Sequence, residues 1–201
     1  MGNILHRKHG EHYLKLNDEM ITRAKMTTNF NETEINEYHH KFFSIASDGK
    51  LKKSLLNDIL GDYLPGDKKS RSKYLSDSIF KAIDQDDNGY MDFFEYLYAL
   101  KFLTTESPIE KAEFIYKILD RNGDKIVTQK EIYRILKSLE SYHQSINGNN
   151  SNVNEITANG SKQAANVILE KLDEDKSGSI TPSEFMDGYL KDDTIRALFA
   201  L

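Results

Sequence analysis

A twelve-residue pattern recurs along this chain and leaves it few ways to fold. In Asp84-Gln85-Asp86-Asp87-Asn88-Gly89-Tyr90-Met91-Asp92-Phe93-Phe94-Glu95, oxygen-bearing side chains stand at the first, third, fifth and ninth places. A glycine holds the sixth place, an apolar residue the eighth and a glutamate the twelfth. A hard divalent cation takes about six to eight oxygen ligands, and a tight loop can aim alternate side chains at one point. Asp84, Asp86, Asn88 and Asp92 supply side-chain oxygens, Tyr90 its carbonyl, and Glu95 both carboxylate oxygens, while Gly89 supplies the bend. This is the layout of a calcium loop, against the plainer reading of an acidic surface turn.

Two further stretches repeat it. Asp173–Glu184 keeps Asp173, Asp175, Ser177, the Ser179 carbonyl and Glu184, and Pro182 falls where the exiting helix starts and a missing N–H costs nothing. Asp120–Glu131 keeps Asp120, Asn122, Asp124, the Ile126 carbonyl and Glu131, but Lys125 takes the sixth place. If the bend needs a positive φ, a lysine there costs about 1–2 kcal/mol, so a weaker site is expected. The cofactor expected is therefore Ca2+ at three sites, with Mg2+ as an occupant of the calcium-poor state. A degenerate copy, Ser44–Leu55, aligns on Leu51: the Asp48-Gly49 bend survives, yet Ala46, Lys52 and Leu55 fill ligand places, so it should hold no ion. Such loops, each between two helices, are EF-hands, and they pair through a short β-bridge at their eighth positions. Leu51 should then face Met91, and Val127 should face Ile180. The expected fold is all-α: four helix-loop-helix units in two paired lobes joined by short β-bridges.

In the 201 residues, 38% hydrophobic content with ten Phe and eleven Tyr suffices for one or two modest cores. The formal charge of −5 is mild and concentrated in the loops, and no nucleic-acid partner is implied. The absence of cysteine excludes a disulfide framework and a thiolate metal site. No apolar run of about 18 residues exists to span a membrane. The start lacks the apolar core of a secretory signal, so a cytoplasmic protein is expected. Gly2 follows the initiator Met as an N-myristoylation acceptor would, but His6 stands where a small hydroxyl is usual. An ordinary flexible start is the competing reading. His6, His9 and His12 are best explained as a solvated tail, and His39 and His40 as surface or rim residues.

Residues 1–33 form the expected arm, 34–103 the first lobe, 104–190 the second, and 191–201 a tail. Thr33 and Glu34 open the helix entering the degenerate loop, with Ile35, Tyr38, Phe42 and Phe43 on its apolar face. Ser107 caps a helix whose first place is Pro108. A polar Asn/Ser/Gly stretch at about 145–160 reads as a mobile linker. The tail spaces Ile195, Leu198 and Phe199 as a helix does, either docked on its own lobe or free for a partner. The first lobe's density of large apolar residues suggests a groove that opens with calcium, with Phe42, Phe43, Leu55, Ile59, Phe80 and Phe94 as groove or core.

Met1-Gly2, a degenerate first EF-hand, complete later loops, the run Asp92-Phe93-Phe94-Glu95-Tyr96, the Glu110-Lys111 helix start and a polar insert before the last EF-hand together resemble the neuronal calcium sensor family. Recoverin, frequenin and the guanylate cyclase-activating proteins belong to it. The resemblance runs from about Glu34 to Leu201. It implies an N-myristoylated calcium sensor that exposes a hydrophobic surface and regulates a target protein, sometimes as a peripheral membrane protein. The departures are Ala46-Ser47 in place of the family's Cys-Pro, Lys125, and His6. An enzyme is excluded by the lack of any phosphate-cradling loop, nucleophile elbow, zinc-protease helix or cysteine nucleophile. A calcium buffer and a permanent calcineurin B-like subunit stay open. In the expected mechanism Glu95 is drawn into the ligand cage, its helix rotates, and an amphipathic target helix enters the groove.

Overall fold

The computed structural model describes residues 15–60, 73–146 and 159–199. The chain divides into two compact units, 1–62 with 83–104, and 63–82 with 105–201.

In the first unit, helix α1 (Asp18–Thr28) comes first. It lies inside the stretch expected to be an arm, and it forms because Asn17 caps it, accepting from the Met20 N–H at 2.9 Å. It stops at Asn29, which takes the left-handed conformation at φ 65°. Helix α2 (Glu32–Ile45) starts earlier than the expected Thr33 because Asn31, not Thr33, is its cap. The Asn31 side chain accepts from the Glu34 N–H at 3.0 Å, and Glu34 accepts from the Asn31 N–H at 2.8 Å, a reciprocal capping box. Strand β1 (Leu51–Lys52), a 3-10 turn (Lys53–Leu55) and short helix α3 (Leu56–Ile59) follow. Strand β2 (Tyr90–Met91) and helix α5 (Phe93–Thr104) complete the unit. Its core stacks Phe42 on Tyr96 (5.5 Å between centroids) and on Phe93 (5.8 Å). His39 belongs to this core rather than to the surface: it is buried, 4.4 Å from the Phe43 ring and 5.1 Å from Phe93. Its place one helical turn before Phe43 puts it on the apolar stripe.

Helix α4 (Lys73–Ile83), which enters the Asp84 loop, groups with the second unit as far as Ala82 rather than with residues 34–103. Two contacts explain this: the Arg121 guanidinium lies 4.9 Å over the Tyr74 ring, and Arg121 is 4.0 Å from the Asp77 carboxylate. The unit continues with α6 (Pro108–Leu119), β3 (Val127–Thr128), α7 (Gln129–Ile146), α8 (Ser161–Leu172), β4 (Ser179–Ile180), α9 (Pro182–Lys191) and α10 (Asp193–Leu198). Ser107 caps α6 with Pro108 in its first turn, as the sequence indicates. Helix α7 persists to Ile146, into the stretch read as linker; 147–158, Pro65-Gly66, Gly2 and the N-terminal histidines lie outside the described residues. The tail is docked. Ile195, Leu198 and Phe199 are buried, Phe199 lies 5.8 Å from Phe185, and the Arg196 guanidinium donates to the Tyr189 and Leu190 carbonyls.

Both β-bridges have the expected register. Leu51 pairs with Met91 and Lys52 with Tyr90; Val127 pairs with Ile180 and Thr128 with Ser179. Among the described residues no helix is long and apolar enough to cross a membrane.

Candidate metal centres

Each complete loop begins where its entering helix ends: Ile83 before Asp84, Leu119 before Asp120, and Leu172 before Asp173. The loop then turns through two left-handed residues, at its fourth and sixth places. These are Asp87 (φ 55°) and Gly89 (φ 81°), Gly123 (φ 74°) and Lys125 (φ 66°), and Lys176 (φ 59°) and Gly178 (φ 86°). Every complete loop thus carries one glycine and one non-glycine in left-handed backbone, and the third loop merely exchanges their places. Lys125 is strained as expected, but Asp87 and Lys176 bear the same kind of strain.

These bends point loop N–H groups at the first carboxylate. Asp84 accepts from the Asn88 and Gly89 N–H groups, both at 3.0 Å; Asp173 accepts from Ser177 at 3.0 Å and Gly178 at 2.8 Å. Asp120 accepts from Gly123 at 2.9 Å and Lys125 at 3.0 Å. The twelfth-position glutamates then divide the loops. Glu95 spans its loop, one oxygen accepting from the Gln85 N–H at 2.8 Å and the other from Asp92 at 2.9 Å. Glu184 does likewise, with Glu174 at 3.0 Å and Thr181 at 2.8 Å. Glu131 accepts twice from Thr128 through one oxygen, as Glu184 does from Thr181, but the Arg121 N–H, which corresponds to Gln85 and Glu174, donates to the Leu119 carbonyl at 2.8 Å rather than to the glutamate.

The carboxylates gather accordingly. Oxygens of Asp84, Asp86 and Glu95 lie within 4.8 Å of one another, as do those of Asp173, Asp175 and Glu184. Among the described residues the third loop's Asp120, Asp124 and Glu131 do not converge in this way. The donors are carboxylates, two amides, a hydroxyl and the carbonyls at Tyr90, Ile126 and Ser179, all hard oxygen atoms, which fits Ca2+ and offers nothing to a soft metal. The two closing glutamates differ electrostatically. Burial raises the Glu95 carboxyl above its ordinary value, against the opposing N–H bonds from Asp92 and Gln85. Hydrogen bonds from the Thr181 N–H and hydroxyl hold Glu184 below its ordinary value.

The degenerate loop fails in its backbone as well as its side chains. Helix α2 runs on to Ile45, through the first two loop places, and the Ser44 hydroxyl turns back to the Lys41 carbonyl at 2.7 Å. Only Gly49 (φ 76°) is left-handed, and its N–H bonds to the Ala46 carbonyl at 2.9 Å. The segment keeps its bridge to Met91 and serves as scaffold.

Of the groove candidates, Phe42, Ile59 and Phe80 are buried, whereas Phe43, Leu55 and Phe94 are half-buried. The Arg23 guanidinium of α1 lies 3.9 Å over the Phe94 ring, beside a pocket of about 340 Å³ whose wall includes Thr27, Gln85, Asp92, Glu95 and Tyr98. Arg23 was missed in the sequence, although the Asn17 cap and the spacing of Met20, Ile21, Ala24 and Thr28 mark its helix. Also missed was Tyr116, buried on α6, whose hydroxyl reaches the Lys125 and Ile180 carbonyls. Burial pushes its phenol well above the ordinary range, with Asp120 and Asp124 adding to the effect, so it remains a proton donor.

A family model for an EF-hand domain pair matches residues 47–101. Guanylyl cyclase inhibitory protein of Lithobates pipiens is 29% identical over 165 residues, 82% of this chain and 76% of that one. Guanylyl cyclase-activating protein 1 of Gallus gallus is 25% identical over 172 residues, covering 86% and 80% of the two chains. S-modulin of Aquarana catesbeiana is 23% identical over 183 residues, covering 91% and 88%.

Proposed function

We propose that the chain is a calcium sensor of the neuronal calcium sensor kind, regulating a target protein in response to calcium bound at three loops; its likeness to an EF-hand pair and to named guanylyl cyclase regulators supports this. The observation that carries this reading is the convergence of Asp84, Asp86 and Glu95, and of Asp173, Asp175 and Glu184, each closed by a glutamate that spans its loop. The third site is Asp120, Asn122, Asp124, the Ile126 carbonyl and Glu131. Bound calcium supplies the positive charge that lets these carboxylates crowd together.

Glu95 stands in the first turn of α5, so any change in its position moves Phe94 and Tyr98 of the same helix. Phe43, Leu55 and Phe94, already half-buried, are the side chains most readily uncovered; Phe42 and Ile59 need a larger helix movement, and Phe80 groups with the other unit. The uncovered face would take an amphipathic helix of the target. Relatives are named for inhibiting or activating guanylyl cyclase, which makes a guanylyl cyclase the first target to try. Acylation at Gly2 would add weak, reversible attachment at a membrane surface.

The test is a calcium titration at millimolar-scale magnesium, following the apolar-surface dye ANS together with binding heat. The expected result is about three binding events and a calcium-specific rise in dye fluorescence. Heat without a dye response would replace the sensor with a calcium buffer or a permanently occupied subunit.

A further inference from the structure

Tyr116 occupies a place where the third and fourth loops come within reach of one side chain. Its hydroxyl lies 3.0 Å from the Lys125 carbonyl and 3.1 Å from the Ile180 carbonyl, residues separated by the whole of α7 and α8. A phenol has one proton to donate, so the two carbonyls share it. The ring is held independently of the hydroxyl, packed 5.6 Å from Phe185, which directly follows the closing Glu184. Both carbonyls adjoin ligand positions: Lys125 immediately precedes Ile126, whose carbonyl is a ligand of the third loop, and Ile180 immediately follows Ser179, its counterpart in the fourth. Lys125 is also the non-glycine residue of its left-handed pair, so its peptide orientation is one that the backbone does not favour by itself.

We infer that Tyr116 is a positioning residue that couples calcium binding at the third and fourth loops, its shared proton fixing the Lys125 peptide in register with the Ile180 peptide. This rests on the reading of both loops as calcium sites. The Val127–Ile180 bridge joins the loops through their backbones, and the Tyr116 hydroxyl adds a tie that a Phe would not supply. Movement of either carbonyl changes the hydrogen bond available to the other, which gives the two sites a physical reason to fill together.

The test is a thermodynamic cycle on the full-length chain. Calcium affinity of the third site is measured by chelator competition with the fourth site intact and after Glu184→Gln, and the ratio of the two affinities is the coupling factor. The same pair is measured with Tyr116→Phe, which keeps the ring. The coupling factor is expected to fall by about fivefold in the Phe variant, the size of one net hydrogen bond. If both affinities drop alike and the ratio stays constant, the hydroxyl is only structural and the inference fails. If the wild-type second unit binds no calcium, the underlying assignment falls and takes the coupling with it.

Discussion

The two loop pairs are built on the same bridge but to different ends. In the first unit, Asp84–Glu95 pairs with a segment whose entering helix overruns the loop as far as Ile45, so the partner contributes Leu51 and a rigid edge but no ligands. In the second, both partners have the full set of ligand types, both left-handed turns are present, and Tyr116 bonds to a carbonyl in each. An EF-hand can therefore lose its ion and keep its structural task, because the bridge depends on backbone pairing and the apolar eighth residue rather than on the carboxylates. On the proposed reading, the first pair would be a single site on a scaffold. The second would be two sites tied by one side chain.

That contrast can be broken in order of effect. Glu95→Gln should weaken calcium in the first unit by about 100-fold or more, since it removes a direct ligand charge, while both second-unit affinities stay within about twofold. Glu184→Gln should instead weaken the third site along with its own. Chelator-competition titrations of the two variants decide, and a second unit insensitive to Glu184→Gln would end the comparison. A smaller effect concerns packing. A Cβ at Gly188 would collide with the buried Leu172 side chain, so Gly188→Ala should cost about 1–3 kcal/mol in urea unfolding of the calcium-free protein. Ala99 fills the corresponding place of α5 without trouble, so an unchanged midpoint for Gly188→Ala would show that the fourth hand is no tighter than the second.

The smallest effect is electrostatic and confined to the second unit. Asp192 caps α10, and its hydrogen bond from the Lys171 ammonium, at 2.8 Å, holds its carboxyl below the ordinary value, outweighing partial burial and helped by the Thr194 and Ile195 N–H groups. A carboxylate depressed in the folded state stabilises above its unfolded value of 3.8 and loses that contribution as pH falls through the lower folded value. Asp192→Asn keeps a capping oxygen but loses the charge. It should therefore lower stability by up to about 1 kcal/mol at pH 7, a deficit that shrinks as pH falls below 3.8. Thermal unfolding across this pH range checks this, and a deficit that does not shrink as pH falls would point to the cap rather than the ion pair.

The bridge register was legible because the eighth place is fixed within each twelve-residue loop, and the Ser107 cap because Pro108 directly follows it. Helix α1 was passed over because its apolar stripe is thin and its cap, Asn17, sits among charged residues that suggest solvent. His39 was misplaced because a histidine beside a second histidine looks polar, whereas the position relative to Phe43 and Phe93 decides its burial. The grouping of α4 with the second unit turns on Tyr74, Asp77 and Arg121, which meet across more than forty positions of sequence that no local pattern spans. The glycine at the sixth place drew attention to Lys125, but the equal demand at the fourth place, met by Asp87 and Lys176, emerges only from backbone angles.

Those angles also bear on speed. With both left-handed turns made and the first carboxylate already cradled by loop N–H groups, an ion reaching the second or fourth loop would ask only for side-chain exchange, which runs in picoseconds to nanoseconds. Such a receptor is limited by encounter and not by refolding, so its response time is set by how fast the ion leaves. The third loop would have one more step, the turning of the Arg121 N–H from the Leu119 carbonyl toward Glu131. On the proposed reading of all three loops as calcium sites, it would be the slowest of them to fill.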